Sequence, residues 1–263
     1  MFYIRQSKPE DAATFLKLAR MVSFINLPPD EKIISSKIRY SQHCFTHAAG
    51  GRPKDRASRG GHSHAGYAAS QAESDLFMFT IMDRESNSPV GTSQVRAHMG
   101  GPDNPNFAFR LEERHFFSPS LNLGTRHAVV KLFGDPTGPT EVGGLILQPS
   151  FRGHRHRPGR LISLVRFHFM GLHRSLFADR VIAEMMPPIT PEGDNLFWDH
   201  VGRKFIPVKY IEADRFCQYN RSFIHDLLPK EELYLTLLPL EVMNSVAQVS
   251  AEIYGHAASG LPV

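Results

Sequence analysis

The chain has 263 residues, 41% of them hydrophobic and 21% charged, and a formal net charge of +4. This length and balance exclude a disordered or fibrous chain and allow one large domain or two smaller ones with a real core. Neither an apolar run of roughly 18 residues, nor a signal-peptide core, nor paired cysteine spacing occurs, so we expect a soluble, cytoplasmic protein without a disulfide framework.

The N-terminal part predicts a strand followed by two helices. Phe2–Arg5 indicates the strand, and Ser7 with Glu10 three residues later has the spacing of a capping box at the first helix. The break at Leu27–Asp30 starts the second helix. The apolar residues at helical spacing are Phe15, Leu18, Ala19 and Val22 in the first helix, and Ile33, Ile34 and Ile38 in the second.

Between His47 and Ala72 large apolar residues nearly vanish, and Gly, Ala, Ser, Arg and His dominate. This composition predicts a flexible insertion over residues 47–72. His62 and His64 lie within it without any Cys or acidic ligand set, which favours a solvated loop over a metal site.

Strands follow in the next part of the chain. Leu76–Met82 and Val90–Met99, joined by the turn Asp83–Pro89, predict an antiparallel hairpin. A further strand is predicted at His127–Phe133, before the turn-forming residues 134–139.

The stretch from Thr140 to Met170 carries the main functional signal, because it reads as an apolar strand, a basic turn and a helix. Glycines, arginines and the unpaired N–H groups of a helix N-terminus can together hold phosphates. The alternative is a basic surface turn between two core elements. The residues concerned are Leu145 and Leu147 in the strand, Arg152, Gly153, Arg155, Arg157, Gly159 and Arg160 in the turn, and Leu161, Val165, Phe169 and Leu172 in the helix.

The segment Arg180–Met185 predicts a buried strand that carries Glu184. An acid in such a strand indicates either a structural ion pair with an arginine or a functional role. The sequence then predicts a short helix ending at Gly202, a strand through Tyr210 and a mainly helical region over 211–249.

This order of elements resembles the GNAT acyltransferase fold, which implies an α/β (α+β) protein with a mixed, twisted central sheet flanked by helices. In that fold an acyl-CoA binds where two parallel strands splay apart, with its pyrophosphate on the turn before the central helix. A narrower resemblance, to the arginine N-succinyltransferase family, is carried by GDPTGPTEVGGLILQPSFR, RLISLVRFHFM, VIAEM, FWDHVGRKF and LPKEELYLTLLP. It implies an acyl-CoA-binding domain over 1–210 and a helical extension over 211–263, shorter than that of the family.

The family resemblance implies transfer of a succinyl group from succinyl-CoA to the α-amine of arginine, in arginine degradation and without a metal. Leu145 falls on the family's succinyl-CoA contact, Arg152 closes the L-x-P-x-x-R segment, Gly159 ends the phosphate turn, and Glu184 matches the AEM acid. We expect Leu147, Arg155 and Arg160 to contact CoA as well.

Two departures from the family pattern bear on mechanism. Arg157 stands where the GNAT turn usually has its first glycine, and Ser250 stands where the family has a proton-donor histidine. Ser250 is therefore a candidate for positioning a water. Glu184 is the first candidate for the base or for binding the substrate guanidinium. His225 and His256 are further candidates.

Other readings stay open at the level of sequence. One is a GNAT acyltransferase with another acyl-CoA or amine, and another is an inactive relative that serves as a binding or regulatory subunit. Nucleic-acid binding through Arg152–Arg160 is disfavoured, because the chain lacks a wider basic stripe with exposed aromatics. Both homo- and hetero-oligomers are compatible with the sequence.

Overall fold

The structure is a computed structural model that describes residues 1–21, 27–50, 74–102, 104–190, 192–217, 221–246 and 248. These residues form two compact units: the first is Met1–Gly101 with Thr137–Glu184, and the second is Pro102–Pro136 with the chain from Met185 onward. The predicted division at residue 210 does not coincide with this partition, because 102–136 and the residues after Glu184 group with the C-terminal part. That residues 1–210 bind acyl-CoA stays a prediction.

Strands and helices together give the mixed α/β class that the sequence predicts. In chain order the strands are β1 (Phe2–Gln6), β2 (Leu76–Asp83), β3 (Ser88–Arg96), β4 (Asn106–Ser118), β5 (Leu123–Asp135), β6 (Thr140–Leu147), β7 (Val181–Ile182) and β8 (Leu233–Tyr234). The α-helices are α1 (Ala12–Ala19), α2 (Glu31–Ala49), α3 (Pro158–Leu172), α4 (Arg203–Phe205), α5 (Tyr210–Cys217), α6 (Ser222–Leu227) and α7 (Leu240–Ser245).

The first unit is built on a five-stranded sheet in the order β1-β2-β3-β6-β7. Neighbouring strands are antiparallel except for β6 and β7, which are parallel. The predicted β2–β3 hairpin is confirmed. Because successive residues of a strand face opposite sides, β2 supplies two apolar clusters. One contains Phe77, Phe79, Ile162 and Met170 with Phe169 packed against it, and the other contains Leu76, Met78, Phe15, Ile34 and Ile38.

The helix starts show how local chemistry places α1 and α2. Asp30 caps α2, since its carboxylate accepts hydrogen bonds from the backbone N–H groups of Lys32 and Ile33. The predicted Ser7–Glu10 capping box is wrong by one residue: the Asp11 carboxylate accepts from the Lys8 N–H at 2.8 Å. Ser7 is instead fully buried, with its hydroxyl oxygen 2.9 Å from that of Thr80, which donates its proton to Asp11.

Two further predictions about helices need correction. Helix α2 continues to Ala49, so residues 47–49 are helical and do not open a flexible insertion. The rest of that insertion from residue 51, with His62 and His64, lies outside the described residues. In α3 the apolar face is rotated from the predicted one, since Leu161 and Leu172 are exposed whereas Ile162 and Met170 are buried.

The second unit contains a three-stranded sheet in the order β4-β5-β8. The predicted strand at His127–Phe133 is the central part of β5, while β4 and β8 were not predicted. The predicted strand through Tyr210 is wrong, because the helical segment runs on to Phe205 and α5 starts at Tyr210. The region beyond 211 is only partly helical. None of the helices in the described ranges is long and apolar enough to cross a membrane.

Candidate functional site

The site is organised by the two parallel strands, which separate after two residue pairs. Thr140 pairs with Val181 and Glu141 with Ile182, and there the pairing ends. Strand β6 continues to Leu147 with β3 on one side, and within the described residues no strand lies on its other side beyond Glu141. A gap of this kind is where the GNAT resemblance places an acyl-CoA.

Thr140 fixes where the gap begins. Its buried hydroxyl donates a hydrogen bond to the Ala97 carbonyl at 2.9 Å and accepts one from the Ala178 N–H at 2.9 Å. Its backbone N–H donates to the Arg180 carbonyl. One side chain therefore ties the start of β6 both to the end of β3 and to the segment that leads into β7.

A bulge in β6 lies beside the gap. Gln94 pairs with Gly143 and Thr92 with Ile146, so that two β6 residues, Gly144 and Leu145, face a single residue of β3. Gly144 has φ +57°, the left-handed region that favours glycine. A Cβ there would stand 2.9 Å from Gln94 Cγ, so both backbone angle and space require glycine. The bulge leaves Leu145, the predicted succinyl-CoA contact, 39% exposed.

Buried polar groups surround the bulge, and the sequence analysis missed them. Gln94 is 2% exposed, yet neither atom of its side-chain amide has a hydrogen-bond partner within the described residues, and the same holds for the Thr92 hydroxyl. Each such group costs roughly 1–3 kcal/mol when left unpaired. Thr92, Gln94 and Arg96 alternate along β3, which marks one polar face of the strand but not its burial.

The buried Arg96–Glu141 pair lies at the point where the strands part. Arg96 Nε is 3.9 Å from Glu141 Oε2, and the two side chains are 5% and 1% exposed. Glu141 is also the last residue of β6 that pairs with β7. Arg96 and Glu141 are also paired across β3 and β6, so this contact ties the last β6 residue that pairs with β7 to the end of β3.

The basic turn follows β6 and leads into α3. A 3₁₀ turn covers Pro149–Phe151, and α3 starts at Pro158 rather than after Arg160. The Arg157 cap has φ +46°, and Gly153 has φ +72° with open space where a Cβ would stand. In the first turn of α3 the N–H groups of Gly159 and Arg160 have no acceptor within the helix.

Charge is concentrated on this turn. All four arginines, Arg152, Arg155, Arg157 and Arg160, are exposed, and no carboxylate of the described residues lies within salt-bridge distance of them. Arg155 donates from Nε to His156 Nε2 at 3.2 Å. The turn is thus an exposed positive surface next to a helix N-terminus, and such a surface attracts phosphate.

The structure brings most of the predicted contacts of CoA to one end of β6. Gly159 lies against Leu147, because a Cβ built on the glycine would be 3.6 Å from Leu147 Cδ2. Arg152, Arg155 and Arg160 belong to the same turn and helix start. That these residues bind CoA stays a prediction.

The structure does not bring the predicted catalytic residues together in the same way. The predicted buried strand Arg180–Met185 is reduced to Val181–Ile182, and Glu184 is exposed beyond its end, at the limit of the first unit. The apolar run overstated the strand because only two residues of it pair with β6. Ser250 and His256 lie outside the described residues. His225 is exposed on α6 beside Asp226.

The chain is similar to known arginine N-succinyltransferases. The model of the family described as "Arginine N-succinyltransferase beta subunit" matches residues 2–258. The arginine N-succinyltransferase of Yersinia pestis (strain Pestoides F) is 32% identical over 174 residues, which are 66% of this chain and 49% of that protein. That of Shigella dysenteriae serotype 1 is 28% identical over 252 residues, 95% of this chain and 66% of that one.

A solved structure agrees with these relatives. Subunit AI of the arginine/ornithine succinyltransferase from Pseudomonas aeruginosa superimposes with a TM-score of 0.73 at 25% identity, over 97% of this chain and 68% of that chain. The chain spans about half the length of the Yersinia relatives. Because the family match covers nearly the whole chain, the protein belongs to the arginine N-succinyltransferase family.

Proposed function

We propose that the protein transfers a succinyl group from succinyl-CoA to the α-amine of arginine. The observation that carries the proposal is the gap beside β6, with the Gly144 bulge in the strand and the arginine-rich turn at its end. The pantetheine arm of CoA is an extended chain with amide groups. It can therefore add to the β6 edge much as a peptide strand adds to a sheet.

The phosphates of CoA would lie on the basic turn. Arg152, Arg155 and Arg160 can donate hydrogen bonds to phosphate oxygens. The first N–H groups of α3 can donate to the same anion at the positive end of the helix dipole. Gly153, with open space around it, lets the backbone come close to the ligand. The extra arginines take the place of the glycine that the usual GNAT turn has at the position of Arg157.

The reaction is attack of a neutral amine on a thioester carbonyl. The nitrogen forms a bond to the carbonyl carbon, the C–S bond breaks, and CoA leaves as the thiolate or takes a proton. A free α-amino group has a pKa of about 8, so a base or a water chain must remove its proton at neutral pH. Backbone N–H groups of β6 near the bulge can stabilise the oxyanion, as they have no strand partner in the described residues on the gap side.

Two residues are assigned to the amine side. Glu184 lies two residues after the end of β7, and its carboxylate suits either the base role or bidentate binding of a guanidinium. Ser250 would position a water, because a free hydroxyl is a poor proton donor at neutral pH. The chain would act on an acyl-CoA and an amino-acid amine in the cytoplasm, without a resident metal.

A thiol-release assay tests the proposal. The chain is incubated with succinyl-CoA and arginine, and in parallel with acetyl-CoA and with ornithine. Release that requires succinyl-CoA and arginine supports the proposal, and mass spectrometry should identify N-succinylarginine. Release with another acyl-CoA or amine would favour a GNAT enzyme of different specificity. Binding of CoA without release would favour an inactive binding or regulatory subunit.

A further inference from the structure

Strand β4 is an edge strand of the sheet in the second unit, as far as the described residues show. It pairs with β5 along its whole length, from Asn106 opposite Asp135 to Ser118 opposite Leu123, with no shift of register. The sheet order is β4-β5-β8, so within the described residues no strand covers the outer side of β4. Proteins usually protect such an edge with charged side chains, a proline, a bulge or a short strand. Strand β4 is 13 residues long and has no proline or bulge, and its charges are Arg110, Glu112, Glu113 and Arg114.

The surface of β4 carries apolar side chains as well. Leu111 is 51% exposed and Phe117 is 66% exposed. Both residues lie on the same face of the strand, and apolar side chains exposed beside an open edge favour contact with a second chain.

The charges on one side of β4 are unbalanced in a way that suits a second copy of the same strand. Arg114 forms ion pairs with both Glu112 and Glu232, so two carboxylates share one guanidinium. Arg110, two residues from Glu112 and on the same side of the strand, packs over the Phe133 ring at 4.2 Å and forms no ion pair with a carboxylate of the described residues. Arg110 therefore has no carboxylate partner among the described residues, whereas Glu112 shares Arg114 with Glu232, which also interacts with the charge of Lys131 opposite Arg110.

We propose that two copies of the chain pair through β4, antiparallel and across a two-fold axis. Opposite residues of antiparallel strands lie on the same face, so one residue of β4 must face its own copy on the axis. In the registers that pair most of the strand, the residue on the axis is Leu111, Glu112 or Glu113.

Charge decides between these registers. A centre at Glu112 places that acid opposite its copy and Arg110 opposite Arg114. A centre at Glu113 sets Glu112 against Arg114 on both sides, but it places two acids face to face on the axis. A centre at Leu111 sets leucine against leucine and, on both sides of the axis, Arg110 against Glu112. Like charges directly opposite destabilise a sheet and opposite charges stabilise it, so the geometry assigns the axis to Leu111.

Cysteine cross-linking tests the register in the full chain. In a Cys217→Ser background, which leaves the buried Cys44 as the remaining native thiol, each of Leu111→Cys, Glu112→Cys and Glu113→Cys is oxidised and run on a non-reducing gel. Residues that face each other across antiparallel strands are close enough for a disulfide, so Leu111→Cys should form a covalent dimer. Leu121→Cys, at an exposed position of the β4–β5 turn, is the control for random collision.

Analytical ultracentrifugation supplies the second measurement. The unmodified chain should sediment as a dimer, and Arg110→Glu should raise the dissociation constant about tenfold, because two like-charged pairs replace two opposite ones. The exchange Arg110→Glu with Glu112→Arg restores the pairing of opposite charges and should recover most of the affinity. A chain that stays monomeric at micromolar concentration, or that cross-links best at Glu112→Cys or Glu113→Cys, overturns the proposal. Both readouts are independent of acyl transfer.

Discussion

Gly159, in the first turn of α3, lies against Leu147, the last residue of β6, with 3.6 Å between the position of a glycine Cβ and Leu147 Cδ2. This contact joins the strand that would hold the thioester arm to the turn that would hold the phosphates. Because a single ligand would span both, their relative placement decides how well it fits.

A change in side-chain size at Gly159 tests this relation. A methyl group there makes an ordinary van der Waals contact, so Gly159→Ala should fold normally and keep its KM for succinyl-CoA within about twofold. Gly159→Leu must displace α3 from β6 and should raise that KM about tenfold or more. Steady-state kinetics check both variants. Equal effects of alanine and leucine would contradict the packing argument.

The bulge gives a prediction for stability. Gly144→Ala forces a residue with a Cβ into the left-handed region and against Gln94 Cγ, and should lower the free energy of unfolding by about 1–3 kcal/mol. The double variant with Gln94→Ala removes the clash but leaves the backbone strain, so it should recover part of the loss. Urea denaturation of the two single variants and the double variant measures this coupling. Strict additivity would show that Gln94 and Gly144 do not interact.

The arginines of the turn give a prediction for binding. Arg152→Ala, Arg155→Ala and Arg160→Ala should each raise the KM for succinyl-CoA by about threefold to tenfold, with less effect on kcat, because each removes one contact to phosphate. The effect should shrink as the salt concentration rises. Arg20→Ala is the matched control, as Arg20 is exposed on the same unit and distant in sequence from the turn. Unchanged KM values in all three variants would remove the turn from the CoA site.

Steady-state kinetics can distinguish the two roles proposed for Glu184, which are general base and binding of the guanidinium. Since the side chain is exposed, Glu184→Gln should leave the free energy of unfolding within about 0.5 kcal/mol of the original. If the carboxylate binds the guanidinium, the KM for arginine rises; if it acts as the base, kcat falls and its acid limb disappears from the pH profile. Glu192→Gln, an exposed acid of the second unit, is the control. Full turnover by Glu184→Gln excludes both roles.

Asp11 gives a prediction for pH dependence. Burial alone would raise the pKa of this carboxyl, but hydrogen bonds from Arg5, the Lys8 N–H and the Thr80 hydroxyl outweigh burial and hold its pKa below the ordinary value. A lowered pKa contributes stability above the unfolded value of about 4, and that contribution is lost as the pH falls through the folded value. Asp11→Asn should therefore be less stable at pH 7, with a shallower loss of stability below about pH 4. Urea titrations between pH 2 and pH 7 measure both effects, and a parallel pH profile would contradict this role.

The elements that the sequence predicted well are those whose apolar pattern is complete within the element. Strands β2 and β6 were predicted from their apolar runs, β3 from the turn that separates it from β2, and α2 from the chain break at Leu27–Asp30 before it. Strand β4 was missed, because it is largely exposed and its charges interrupt the alternation that a half-buried strand shows.

The site was less accessible to sequence reasoning, since it depends on pairing between distant segments. Val181–Ile182 looked like part of a longer strand, and only its partner β6 shows that the pairing ends there. The Gly143–Gly144 pair within an apolar run could have indicated the bulge. Nothing in the sequence marked Gln94 as buried without a partner, because that property arises from how β3 packs.

The hydroxyl of Thr140 has a consequence for how quickly a ligand can enter. The bonds of this hydroxyl to Ala97 and Ala178 set the start of β6 and the approach to β7, and the two strands stop pairing after Glu141. If CoA binds there as proposed, it does not have to separate paired strands, and little ordering of the protein would oppose association. Thr140→Val removes both hydrogen bonds of this hydroxyl. It should therefore weaken the attachment of β6 to the segments before and after it, without removing a proposed contact to the ligand.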